Sequence, residues 1–188
     1  MSAQDSKLFV ISGPSGAGTG TLVTRVRERR SNLDMTVSAT TRAPRKGEVD
    51  GVNYFFLTRE EFDRRVANGE FVEWAEVHGN CYGTLVSEVQ SKLASGSSLI
   101  LEIDVQGALQ VKERFPEAVL IFIKPPSLEV LRERLVGRGT ETPETIELRM
   151  ANAADELALA DRYDEVVVND DLDRATDELV RVLDMHER

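Results

Sequence analysis

LFVISGPSGAGTGTL, residues 8–22, decides the fold. Leu8-Phe9-Val10-Ile11 is an aliphatic run that ends at Ser12 and a Gly-Pro pair, the pattern of a strand buried on both faces of a parallel sheet. From about Thr21 to Arg30 the composition turns helical. A glycine-rich turn between a buried strand and a helix start is an anion site: successive main-chain N–H groups form a concavity, and the helix dipole favours negative charge. The frame GxxxxG is complete at Gly13 and Gly18. Lys and then Ser or Thr normally follow; Thr19 and Gly20 stand there instead. The lysine ordinarily brings charge to the phosphates and the hydroxyl binds Mg²⁺. This chain keeps the main-chain cradle and omits both side-chain parts.

Outward from that stretch, the same alternation repeats. Leu99–Val105 and Ala118–Ile123 read as further buried strands, with a helix at Gln106–Arg114 between them. Glu165–Val168 closes the series before an amphipathic helix, Leu172–Met185, with Leu172, Ala175, Leu179, Val182 and Leu183 on one face. Strands alternating with helices predict an α/β fold, a three-layer parallel sheet with right-handed crossovers. Two stretches break the rhythm. From Thr36 to Thr84, shorter strands (Tyr54–Leu57, Phe71–Val77) surround a helix at Arg59–Asn68 that Gly69 caps, predicting an inserted α+β unit. From Leu131 to Ala154 the chain is charged and helical, with a turn at Gly137–Pro143, predicting a mobile flap at the carboxyl edge of the sheet.

Composition narrows the partners. The 188 residues suit one domain. A formal charge of −10 argues against a nucleic-acid backbone or an anionic membrane as main partner. Phosphate binding must therefore come from local clusters of Arg. A single cysteine, Cys81, leaves no internal disulfide. The polar segment Met1–Lys7 lacks a signal-peptide core, and no apolar run reaches membrane length. A cytoplasmic protein, monomer or homodimer, is the expectation.

Four further groups carry chemistry. Ser38-Ala39-Thr40-Thr41-Arg42-Ala43-Pro44-Arg45, followed by Gly47-Glu48 and Tyr54, places two arginines three apart around a proline, where their planar forks converge on one phosphate. In Glu70–Ala75, alternation sets Glu73 on the face opposite Val72 and Trp74; Tyr82 and Thr84 follow. Glu102-Ile103-Asp104 puts two acids on one buried face of an otherwise apolar strand, at the carboxyl end where sites of such folds lie. Arg134, Arg138 and Arg149 populate the flap. Read singly, each has a bland counterpart, a solvated loop, strand carboxylate or helix charge.

Together these segments resemble guanylate kinase, along nearly the whole chain. SATTRAPRKGEVDGVNYFF, EFVEWAEVHGNCYGT, LEIDVQGA, IFIKPPS, RLVGRGTETPETIELRM and VVVND look like family text in family order. The resemblance implies a phosphate-loop nucleoside monophosphate kinase fold. Its core is 1–35, 92–130 and 156–188, its inserted GMP-binding domain 36–91 and its helical lid 131–155. It implies that Ser38, Arg42, Arg45, Tyr54 and Tyr82 hold the GMP phosphate, and that Glu73 accepts from guanine N1–H and its amino group. Thr84, Asp104 and Glu102 then complete the GMP site. ATP falls to Gly13, Pro14, Ser15, Gly16, Ala17, Gly18, Thr19, Gly20 and Thr21, with Arg134, Asn169 and Asp170. Arg138 and Arg149, with Arg42, are the implied catalytic arginines, and Mg²⁺ enters with ATP near Thr21 or Asp104.

Thr19 and Gly20 depart from the family's Lys and Ser. Losing one such donor costs about 10²–10³ in rate. The space left by the ammonium is expected to take a monovalent cation, K⁺ in preference to Na⁺. The competing reading is a catalytically inactive guanylate-kinase-like binding domain. Against it, a scaffold needs neither the ATP-side arginines nor the guanine group.

Overall fold

The structure is a computed structural model and describes residues 6–188. β1 (Leu8–Ser12) passes through the glycine-rich turn into α1 (Thr19–Arg29) and then β2 (Leu33–Met35). β3 (Ala39–Thr40), β4 (Phe55–Phe56), α2 (Arg59–Ala67), β5 (Phe71–Val77) and β6 (Asn80–Leu85) follow. α3 (Val86–Ala94) leads to β7 (Ser98–Glu102), α4 (Val105–Arg114) and β8 (Val119–Lys124). α5 (Leu128–Gly137) and α6 (Pro143–Ala158) precede a 3-10 turn, β9 (Glu165–Val168) and α7 (Leu172–His186).

Five strands form a wholly parallel sheet in the order β2-β7-β1-β8-β9, with the phosphate-loop strand in the middle. All five residues of β1 are buried because its side chains feed two cores alternately. Phe9 and Ile11 join Leu22, Val23 and Val26 of α1 and Leu179 and Leu183 of α7. Leu8 and Val10 join Val89 of α3 and Val105, Ala108 and Val111 of α4 on the other side. That is the three-layer arrangement expected, and its cause is the period-2 burial of an uninterrupted aliphatic run.

The second sheet runs β4-β3-β6-β5. Its small core is Ala39, Phe62, Phe71, Cys81 and Leu85, with the Phe62 and Phe71 rings stacked at 4.4 Å. Thr58 caps α2 by accepting from Glu61 N at 3.1 Å, and Gly69 ends it at φ 69°. α5 and α6 bury Leu131, Leu135, Ile146, Met150 and Ala153 against each other. This helical pair thus has its own core, starting three residues before the predicted flap.

Two expectations need correction. Glu102 and Asp104 are not two acids buried on one strand face. β7 stops at Glu102, and Asp104 is the N-cap of α4, its Oδ1 accepting from Gly107 N at 2.8 Å. The chain changes from strand to helix between them, so the period-2 rule no longer relates their side chains. Along β5 the alternation also fails. A register shift between Phe71 and Glu73 leaves Phe71, Val72 and Glu73 all buried, at 4%, 2% and 9% exposure.

Candidate active site

The phosphate loop is held open by its surroundings. Gly16 and Gly18 take φ 90° and 83°, a conformation that costs a side chain but not glycine. Gly18 caps α1 without any side-chain hydrogen bond, so the first N–H groups of the helix stay available to a ligand. A Cβ on Gly18 would sit 2.5 Å from Asn169 Nδ2. Asn169, buried at the end of β9, uses that nitrogen to donate to Ala17 O at 2.8 Å. Arg134 of α5 donates to Asn169 O at 2.9 Å and to Gly16 O at 3.4 Å. These groups, with Arg138, Thr21 and Asp170, line a cleft of about 500 Å³.

A second cleft of about 330 Å³ lies directly over the loop, lined by Gly13–Gly16, Gly18–Thr21, Glu102 and Arg138. The two atypical residues face into it. Thr19 Oγ1 is buried and has no hydrogen-bond partner. Gly20 leaves room for Glu102: a Cβ there would lie 3.3 Å from Glu102 Oε1. The register Ile11↔Glu102 explains this placement, because it sets the acid beside the strand end from which the loop departs. Glu102 therefore sits with the phosphate loop. Burial pushes its carboxyl up. Arg149 of α6 donates to Ser15 Oγ from one end of its guanidinium and pairs with Glu141 at 2.9 Å through Nε.

The second sheet presents the other predicted group. Thr84 Oγ1 donates to Glu73 Oε1 at 2.8 Å. Oε2 lies against Gly107, where a Cβ would stand only 3.3 Å away. Burial raises the Glu73 carboxyl, the Thr84 hydroxyl opposes that rise, and the charge of Asp104 adds to it. The bulge at Val72 is what turns Glu73 inward, the usual effect of an extra residue in a strand. Arg42 lies over the Tyr54 ring at 5.2 Å, and the rings of Tyr54 and Tyr82 meet edge-on at 6.2 Å. Ser38 anchors the start of β3, its C=O accepting from Phe55 N at 2.9 Å. The Arg45 side chain is exposed beside them.

The predicted residues thus fall into two groups. Gly13 to Thr21, Arg134, Arg138, Arg149 and Asn169 gather at the carboxyl edge of the parallel sheet; Asp170 is drawn into an ion pair with Arg174. Ser38, Arg42, Arg45, Tyr54, Tyr82, Glu73 and Thr84 gather on the second sheet. Asp104 stands behind Glu73 as a helix cap. Two acids had no role in sequence, Glu48 and Glu141, and both prove to bind the arginines of the site. Spacing gives no signal for either, since each contact crosses a turn.

A family model described as guanylate kinase matches residues 5–186. The guanylate kinase of Gloeobacter violaceus is 56% identical over 178 residues, 95% of this chain and 87% of that protein. That of Halalkalibacterium halodurans is 51% identical over 183 residues, 97% and 90%. The crystal structure of guanylate kinase from Anaplasma phagocytophilum aligns with a TM-score of 0.73 at 36% identity, over 98% of this chain and 87% of that one.

Proposed function

The chain belongs to the guanylate kinase family, and from that premise we infer that it transfers the terminal phosphoryl group of ATP to the phosphate of GMP or dGMP. Glu73 is the observation that carries the choice of acceptor. It is a buried carboxylate that needs donors, and Thr84 supplies only one. Guanine offers N1–H and a 2-amino group; adenine offers neither at those positions. Leaving such a group unpaired rejects the wrong base by about 10⁴-fold.

Arg42 and Arg45, with Ser38, Tyr54 and Tyr82, hold the acceptor phosphate. Its oxygen is already anionic at neutral pH, so no side-chain nucleophile and no phosphoenzyme are required. The main-chain N–H groups of Ser15, Gly16 and Gly18 and of the first turn of α1 cradle the donor phosphates, and Arg138 and Arg149 neutralise charge on the group in transit. Asn169 and Asp170 border the adenine. Closure of the second sheet over GMP and of α5 and α6 over ATP excludes water that would hydrolyse ATP.

Mg²⁺ entering with ATP would supply positive charge against the phosphates. The oxygen donors beside the loop fit a hard cation. Glu102 and Thr21 are the residues to hold it, because Asp104 is committed to capping α4. Thr19 Oγ1 is buried without a partner where the family has an ammonium, and we assign that place to a monovalent cation, K⁺ rather than Na⁺. We place the protein in the cytoplasm as a monomer or homodimer, acting on free nucleotides. Among the described residues no helix is long and apolar enough to cross a membrane.

ADP release, measured with GMP, dGMP, AMP and UMP as acceptors, tests the reading in KCl and in choline chloride at one ionic strength. GMP and dGMP should turn over, AMP and UMP about 10⁴-fold less well, and potassium should be required. No GDP in any salt would refute the kinase reading. Equal rates in potassium and choline would remove the monovalent cation alone.

A further inference from the structure

Glu48 is an acid set between two arginines that face a phosphate, where a negative charge is least expected. It is not a solvated bystander: its side chain is only 20% exposed and that of Arg42 15%. Oε1 accepts from Arg42 Nη2 at 2.9 Å, and Oε2 accepts from Arg42 Nη1 at 3.1 Å and from Arg45 N at 2.7 Å. Glu48 N in turn donates to Arg45 O at 3.0 Å, which fixes the acid in its own turn independently of Arg42. Arg42 Nη1 also donates to Ala43 O at 2.9 Å.

A guanidinium carries five N–H donors in one plane. Three of Arg42's are taken by these contacts. The two that remain, Nε–H and the second Nη2–H, lie side by side on one edge. That edge is itself a two-pronged fork of the kind that matches phosphate oxygens. Arg42 Cζ also lies over the Tyr54 ring, 5.2 Å from its centroid, a cation–π approach that favours this placement of the group.

We propose that Glu48 is a positioning residue for the acceptor phosphate, occupying the end-on fork of Arg42 so that the side-on fork is the one offered to GMP. The inference rests on the kinase reading above. Glu48 stays bound when GMP arrives, because its ties to Arg45 do not depend on the ligand. Without it Arg42 would lose its fixed plane, and the ordering of that plane would fall to the substrate.

Calorimetric titration of GMP, guanosine and ATP into the wild-type chain, Glu48→Gln, Arg42→Lys and the double variant tests this. Glu48→Gln should weaken GMP about tenfold or more. Guanosine, which has no phosphate, and ATP should bind as before. In turnover the loss should fall on KM for GMP more than on kcat. Added to Arg42→Lys, which has no fork to orient, Glu48→Gln should weaken GMP little further. Unchanged or tighter GMP binding by Glu48→Gln would overturn the inference, since Glu48 would then merely fill the phosphate's place. An equal loss for guanosine would also overturn it, as collapse of the loop. So would full additivity in the double variant. A wild-type chain that bound no GMP would refute the kinase reading, and this inference with it.

Discussion

Burial holds the Glu73 carboxyl above its ordinary range, against the Thr84 hydroxyl and with the help of Asp104. Because the folded value exceeds the unfolded one, the native state favours the protonated form. Its stabilising share is whole below the unfolded value and is lost as pH rises through the folded one. At neutral pH, then, ionised Glu73 costs stability, while GMP requires it ionised. Glu73→Gln should raise the melting temperature of the ligand-free protein at pH 7, and raise it more there than at pH 4.5, while GMP affinity falls. Calorimetric melts at the two pH values check this; a lower melting temperature at pH 7 would mean the carboxylate serves the fold. In sequence Glu73 could be named only through the ordered set of motifs around it. The bulge that turns it inward is invisible in the text, since alternation through Val72 and Trp74 predicts a regular strand.

The turn of α4 beside that residue depends on a single cap. Asp104 Oδ1 accepts from Gly107 N at 2.8 Å, and Gly107 has no Cβ to press on Glu73 Oε2. Asp104→Ala should cost about 1 kcal/mol of stability and weaken GMP, because the frayed turn no longer backs Glu73. Asp104→Asn keeps a capping oxygen and removes a charge that opposes ionised Glu73, so it should retain both stability and GMP affinity. Urea melts paired with GMP titrations separate the two outcomes. Elements with a strong pattern were readable at their bounds: β1 and β9 are aliphatic runs closed by turn residues, and α7 carries a clean apolar stripe. β2 and α3 were not, since β2 buries Leu33 alone and α3 only Val89, too few residues to set a period.

At the scale of the molecule, α4 links the two sheets through Val72 of β5, buried with Val105, Ala108 and Val111, and through polar contacts. Arg114 Nη2 donates to Gly69 O at 2.6 Å and Trp74 N to Gln110 Oε1 at 3.3 Å. Closure over GMP is expected to turn about this seam. Small-angle scattering should therefore show the radius of gyration falling with GMP, and falling further with GMP and a non-hydrolysable ATP analogue together. No contraction with both nucleotides bound would rule out a closing cycle. Sequence by itself determined the parallel three-layer core, the glycine cradle and the arginine groups, because buried runs and turn residues act through neighbours in the chain. Tertiary structure alone decided that Glu102 faces the phosphate loop, that Asp104 caps a helix and that Glu48 and Glu141 hold Arg42 and Arg149. Strand register and turns through space set those contacts, and a linear spacing carries no record of either.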